Sequence, residues 1–233
     1  MQAKHKLISN QIEEDIMNHV YTTKLPTEDQ LIERYEVSRN TIRKAITTLV
    51  QKGIIMPIQG SGMFIRKKYA EGYQVLENFR GLTQDVSRRT LENIVLGFDL
   101  VKADERLAEI MGCEIDTPLY YVNRLRIVDG KKLVVEYSYF NKLIIPYLSE
   151  EIVKGSIYQY VTNDLRLEIG YADRIIRADK LDKINAEHLG LQEHDPVLVT
   201  ENLAMLKNGM IFDYSFDYYH YEHTKFLKLS NFL

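Results

Sequence analysis

The sequence predicts an α+β protein in two parts, a small basic head and a larger acidic body. Three observations carry this. Residues 25–65 hold two short capped helical segments followed by an apolar hairpin with a glycine-rich tip. Charge divides near residue 68: residues 1–68 contain 11 Lys and Arg against 7 Asp and Glu, net +4, and residues 69–233 contain 19 against 26, net −7. The body then uses one pattern twice, a helix-like run stopped by Gly, a turn, a Pro and a strand. Gly112 precedes Pro118, and Gly190 precedes Pro196, by six positions each time. A basic head on an acidic body suits a nucleic-acid-binding domain fused to one that does not bind nucleic acid.

The head can be justified element by element. Ile8, Ile12, Ile16 and Val20 recur every fourth residue and make the apolar stripe of a first helix. Thr27 and Gln30 have the spacing of a capping box, with Glu28 and Asp29 at the positive end of a second helix. Leu31, Ile32 and Tyr35 supply its buried side. Ser38 caps a third helix whose inward face is Ile42, Ala45, Ile46 and Leu49, and Gly53 stands where a left-handed stop is expected. Ile54, Ile55, Met56 and Ile58, then Gln59-Gly60-Ser61-Gly62, then Met63, Phe64 and Ile65 read as a hairpin. Two capped helices and a glycine-tipped hairpin outline a winged helix-turn-helix, whose second helix enters the DNA major groove.

The outer face of that third helix carries Arg39, Asn40, Thr41, Arg43 and Lys44. Arg can grip guanine and Asn adenine by two hydrogen bonds each, while Thr and Lys suit phosphates. The segment resembles the DNA-binding domain of GntR-type transcriptional regulators, and the rest of the chain resembles the effector-binding (UTRA) domain of that family's HutC branch. The resemblance implies DNA contacts at Thr27, Glu28, Ser38, Arg39, Asn40, Thr41, Arg43, Lys44, Gln59, Gly60 and Ser61, with the wing tip reaching the minor groove. One departure is visible: Asp29 stands where the family usually has a base-reading Arg, and could accept only from a cytosine amino group. The link between the first two helices, residues 21–24, is also short. One such head makes few contacts, so a symmetric homodimer on an inverted-repeat operator in double-stranded DNA is expected.

Domain limits follow as 1–66 for the head, 67–76 for a polar linker and 77–233 for the effector-binding and dimerisation body. In the body, Ala103-Asp104 and Ala178-Asp179 are read as the starts of the two helical runs, leading to strands over 119–128 and 197–206. The resemblance implies a mainly antiparallel sheet with flanking helices, similar in fold to chorismate lyase. The hairpin around Asp129-Gly130 is the informative element. A three-residue turn, 129–131, pairs Arg124 with Glu136 and Arg126 with Val134. It also aligns Leu133, Val135, Tyr137 and Tyr139 with the apolar side, and register follows that pattern. One face is then core, and the other shows two arginines, Glu136 and Ser138.

Two arginines on one strand face can grip a phosphate, and a neighbouring carboxylate can accept sugar hydroxyls. The alternative is a cross-strand surface ion pair, worth little. The resemblance to sugar-phosphate-sensing members favours the first. It implies an effector site of Arg124, Arg126 and Glu136, with Ser156 and Tyr158 after Gly155, Asp213 and Tyr219 from a late strand, and Leu82 and Thr83 opening a helix over the ligand. Ser156 and Thr83 are each explained by helix capping alone. Asp213 is shorter than the family's usual Glu. The expected effector is a phosphorylated sugar, and the expected function is a repressor released by it.

Other classes fare worse. No activated nucleophile, acid–base pair or metal motif stands out, so no catalytic residue and no cofactor is expected. His220 and His223 lie three apart near Asp217, but on a strand those two point to opposite faces, so no metal site is expected. Cys113 is the single cysteine and excludes an internal disulfide. No apolar run is long enough to span a membrane, and a cytoplasmic protein is expected. Tyr214, Tyr218, Tyr219 and Tyr221 are read as core and dimer surface. Two other readings stay open: a body that only dimerises, and a chorismate-lyase-like enzyme domain fused to the head.

Overall fold

The computed structural model describes residues 4–66, 74–75 and 90–228. The expected helix at Leu82 and Thr83 lies outside the described residues. The chain divides into two compact units, one of Met1–Asn78 with Lys225–Leu233 and the other of Phe79–Thr224.

The head is three helices, α1 (Lys4–Met17), α2 (Glu28–Tyr35) and α3 (Arg39–Gln51), then a hairpin of β1 (Ile55–Ile58) and β2 (Gly62–Ile65). Ile8, Ile12 and Ile16 are buried as expected, together with Leu31, Ile42, Ala45, Ile46 and Leu49. Val20 is not: His19, at φ +58°, turns the chain out of the helix first, and Val20 is 51% exposed. The capping box forms in both directions, with Thr27 N–H donating to Gln30 Oε1 at 2.9 Å and Gln30 N–H to Thr27 Oγ1 at 3.4 Å. Thr27→Ala is expected to cost the head about 1 kcal/mol, read from urea denaturation; no change would mean the box is redundant. At the end of α3, Gly53 takes φ +69° and Ile54 N–H closes onto Leu49 C=O at 3.0 Å, a Schellman stop.

In the wing, Ile55 faces Ile65 and Ile58 faces Gly62 across the loop 59–61. Lys24 bridges to Phe64 on the far side of β2. Gly62 takes φ +103°, a backbone conformation that strains any side chain, and a Cβ there would also push Lys24 Cε aside from 2.8 Å, so glycine is favoured. The expected linker contains a short strand, β3 (Gln74–Val75), which pairs in parallel with β10 (Phe226–Leu227). Through this pairing the tail from Lys225 groups with the head.

The body is one six-stranded antiparallel sheet in the order β4-β5-β6-β9-β8-β7. Its strands are β4 (Leu91–Lys102), β5 (Pro118–Val128), β6 (Lys131–Asn141), β7 (Ile169–Lys180), β8 (Pro196–Leu206) and β9 (Ile211–His220). Each half runs strand, helix, strand, strand, and the halves join through β6 and β9. The repeat is thus structural. α4 (Glu105–Met111) starts at the cap Asp104 and stops at Gly112, φ +57°; α5 (Lys183–Leu189) starts at Asp182 and stops at Gly190, φ +75°. Ala178-Asp179 therefore does not open the second helix. Those residues extend β7, and Leu181-Asp182 is the true counterpart of Ala103-Asp104. The same backbone bonds prove the equivalence: Ala103 exchanges with Thr117 and Asp116, and Leu181 with Asp195 and His194.

Helices α4 and α5 cover one sheet face, over Leu119 and Tyr214 at one end and over Leu125, Val135 and Val199 at the other. The second face is covered too. α6 (Glu150–Lys154) and α7 (Ile157–Gln159) lay Val153, Ile157 and the following Val161 over Val122, Phe140 and Ala204. The 124/136 and 126/134 pairs are as expected, but by another route. The turn is two residues, Asp129 and Gly130 at φ +51° and +74°, and a bulge between Arg126 and Ile127 restores the register.

Candidate functional site

On the head, the sequence-predicted contact residues at the starts of α2 and α3 are neighbours, tied by two ion pairs. Arg39, Asn40, Arg43 and Lys44 are exposed on the opening turns of α3, beside the caps Thr27 and Ser38. Ser38 Oγ accepts from Thr41 N–H at 3.3 Å, so Ser38 and Thr41 also have a local role. Gln59, Gly60 and Ser61 form the exposed wing tip. Two ion pairs tie α2 to α3. Arg43 Nε lies 3.0 Å from Glu28 Oε2, and Arg39 donates from its Nη2 to Asp29 Oδ1 at 2.6 Å. Asp29 is thus engaged by the arginine ten residues on. An exposed pair of this kind is worth little and exchanges readily for another partner.

In the body, Arg124, Arg126, Glu136 and Ser138 are all buried, so the surface ion-pair alternative does not hold. Arg124 donates to Glu136 Oε1, and Arg126 reaches Glu136 Oε2 at 3.0 Å. Ser138 donates to the same carboxylate at 3.2 Å. Arg124 also donates to the carbonyl of Val153 at 2.6 Å, which pins the segment before α7 to the sheet. Ser156 follows and caps α7 through Gln159 N–H.

Across β9 the face continues through Asp213, Ser215, Asp217 and Tyr219. Tyr158 donates to Asp213 Oδ2 at 2.6 Å. Thr200 and Asn202 donate to Asp217 at 2.8 and 3.0 Å, and Arg174 donates to Asn202 at 2.6 Å. Arg124, Arg126, Glu136, Tyr158, Asp213 and Tyr219 therefore share one buried site. Thr200, Asn202, Asp217 and Arg174 belong to it and were missed as site residues. The repeat held a signal for one of them: Arg124 and Asn202 both stand six positions after their prolines.

Charge is unevenly distributed over the three carboxyls. Burial would raise Glu136, but the guanidiniums of Arg124 and Arg126 outweigh it and hold its pKa at about 2. Burial raises Asp217 to about 6, helped by Glu136 directly across the ladder. Burial raises Asp213 to about 8, with Glu136 and Asp217 adding to it. At neutral pH, Asp213 is mostly protonated, while Glu136 and most of Asp217 are ionised beside Arg124 and Arg126. Two buried polar atoms of this network have no partner among the described residues: Arg124 Nε, a donor, and Asp213 Oδ1, which accepts when ionised and donates when it carries the proton.

A pH dependence follows from Asp213. Its folded value near 8 exceeds the ordinary 3.8, so the folded chain holds a proton that the unfolded chain releases between those values. That stabilising contribution is complete below about pH 4 and is lost as pH rises through 8. The melting temperature should fall from about pH 5 to 8.5, and Asp213→Asn should flatten the slope. An equally steep slope in the variant would place the titration elsewhere.

The histidine expectation needs correction. β9 ends at His220 and the chain turns through 221–223, so His223 folds back with its ring stacked on His220, centroids 3.9 Å apart.

A winged helix-turn-helix head joined to a separate sheet domain with a buried charged site defines a DNA-binding transcriptional regulator. Residues 5–65 match the bacterial regulatory proteins of the gntR family, and residues 87–225 match the UTRA domain. The chain belongs to the GntR family, in its UTRA-bearing HutC branch. It is 36% identical to the uncharacterized HTH-type transcriptional regulator YydK of Bacillus subtilis over 98% of both chains. The crystal structure of YydK superposes with a TM-score of 0.84, covering 99% of this chain and 100% of that one. It is 33% identical to the HTH-type transcriptional regulator GmuR of the same organism over 97% of both chains. It is also 24% identical to the mannosyl-D-glycerate transport/metabolism system repressor MngR of Escherichia coli, over 87% of this chain and 84% of that one. Among the described residues no helix is long and apolar enough to cross a membrane.

Proposed function

We propose that this regulator is a homodimeric repressor released from an inverted-repeat operator by a phosphorylated sugar. Arg39, Asn40, Thr41, Arg43 and Lys44 face the major groove, with Thr27, Glu28 and Ser38 at its edge and Gln59, Gly60 and Ser61 in the minor groove. Arg124 and Arg126 hold the phosphate; Glu136, Tyr158, Asp213 and Tyr219 hold sugar hydroxyls. The observation that carries the reading is the pair of unpartnered buried polar atoms, Arg124 Nε and Asp213 Oδ1, within one network. Such groups are costly unless a ligand completes them. A relative whose name ties it to a mannosyl glycerate, an anionic carbohydrate, fits the same chemistry.

Release requires that the ligand bind better to the form that fits the operator poorly, and a coupling of about 1–3 kcal/mol gives roughly 5–150-fold weaker operator binding. Calorimetry with a phosphorylated sugar and its unphosphorylated partner tests the assignment. Wild type should prefer the phosphorylated form, and Arg124→Lys with Arg126→Lys should weaken it while keeping charge. Equal binding of both sugars to wild type would remove the arginines from the phosphate role.

A further inference from the structure

The turn that closes the sheet domain holds a side-chain cluster that the regulator function does not use. β9 ends at His220, residues 221–223 form a turn, and Thr224 is the last residue of the sheet unit before the tail that forms β10. One ligating atom from each of His220, Glu222 and His223 lies within 4.8 Å of the others. We propose that His220, Glu222 and His223 form a binding site for a divalent transition-metal ion of the Zn(II), Ni(II) or Cu(II) class.

The chemistry of the donor set supports it. Two imidazoles and one carboxylate suit those borderline ions, whereas Mg(II) and Ca(II) prefer oxygen alone. The tautomer of His223 is set favourably. His223 Nδ1 lies 3.2 Å from the carbonyl of Lys132, which only accepts, so Nδ1 carries the proton and Nε2 presents its lone pair. A ligating histidine is usually oriented by a bond of this kind from its other nitrogen. His220 Nδ1 accepts a long 3.3 Å bond from Glu222 N–H, and a metal at that nitrogen would displace this bond.

Rigidity and reach are both present. His220 is 5% exposed and fixed by its place opposite Val197 in the ladder. Glu222 and His223 are exposed, and His223 would turn out of its stack on His220 so that both rings direct a lone pair at one ion, at bonds of about 2.0–2.2 Å. Three protein ligands leave an open position for water. The metal would brace the turn from which the chain leaves the sheet unit for its tail, so its occupancy is a local stability term for that segment.

The test is calorimetric titration of the untagged full chain with Zn(II) and Ni(II) at pH 7.5. One equivalent is expected per chain. His223→Ala and Glu222→Gln, both exposed positions whose variants should fold, are each expected to weaken binding by about 10-fold or more. His194→Ala, an exposed histidine outside the cluster, should bind as wild type. Cu(II) electron paramagnetic resonance on the wild type should show coupling to two imidazole nitrogens. Wild type without a site at micromolar to millimolar metal, a His223→Ala chain that binds normally, or a spectrum without two nitrogens would each overturn the assignment.

Discussion

Glu136→Gln is expected to destabilise the sheet domain by about 3–5 kcal/mol, because it leaves two buried guanidiniums without their counter-charge. The substitution is nearly isosteric, so lost packing is not the cause. Glu136 is the carboxylate that both Arg124 and Arg126 reach, and it is 8% exposed. Inorganic phosphate should restore much of the lost stability in the variant and far less in the wild type, since an added anion supplies the missing charge. The pH dependence has a definite sign. The folded pKa of Glu136 is about 2 against an ordinary 4.5, so its contribution is present above 4.5 and lost as pH falls towards 2. The gap between wild type and variant should close over that window. Urea denaturation with and without phosphate reads both effects. A variant as stable as wild type at pH 7 would show that the arginines are neutralised by other groups.

Arg39→Ala is expected to cost about 1–3 kcal/mol at the cognate operator and to relax specificity at one base pair. The pair with Asp29 refines this. Asp29 holds the Arg39 guanidinium from the side at 2.6 Å, which can orient its remaining donors towards a base. Asp29→Ala should therefore leave affinity for random DNA equal or higher, through one fewer negative charge, yet reduce the preference for the cognate site. Fluorescence anisotropy at fixed salt, on operator and scrambled duplexes, separates the outcomes. If Arg39→Ala weakens both duplexes equally, Arg39 touches only phosphate; if Asp29→Ala changes neither, the ion pair has no part in readout.

The head was legible in the sequence because its signals are local. A cap, a capping box, a Gly stop and a glycine-tipped hairpin each act within a few residues, and all four are present at the expected positions. Val20 misled because a periodic apolar residue says nothing about where His19 ends the helix. The body was legible in outline. The Gly-to-Pro spacing found the duplication, but the second helix was started too early, since Ala178-Asp179 mimics a cap while the edge strand β7 runs on to Lys180. The hairpin register came out right through the apolar pattern, although a bulge and a shorter turn produce it.

By itself the sequence determined the GntR-type head, the two-part α+β design and the alignment of Arg124 with Glu136. Each rests on contacts between residues close in the chain or on period-2 alternation within a strand. Only the tertiary structure decided that the polar face is buried, that Asp213 and Asp217 join it from the other half of the sheet, and that the tail from Lys225 groups with the head. It also decided that a turn stacks His223 on His220. These depend on which strands lie side by side and what covers them. β6 and β9 are some eighty residues apart in sequence, yet their pairing sets Glu136 opposite Asp217, and that proximity in a dry interior gives the carboxyls their different charges.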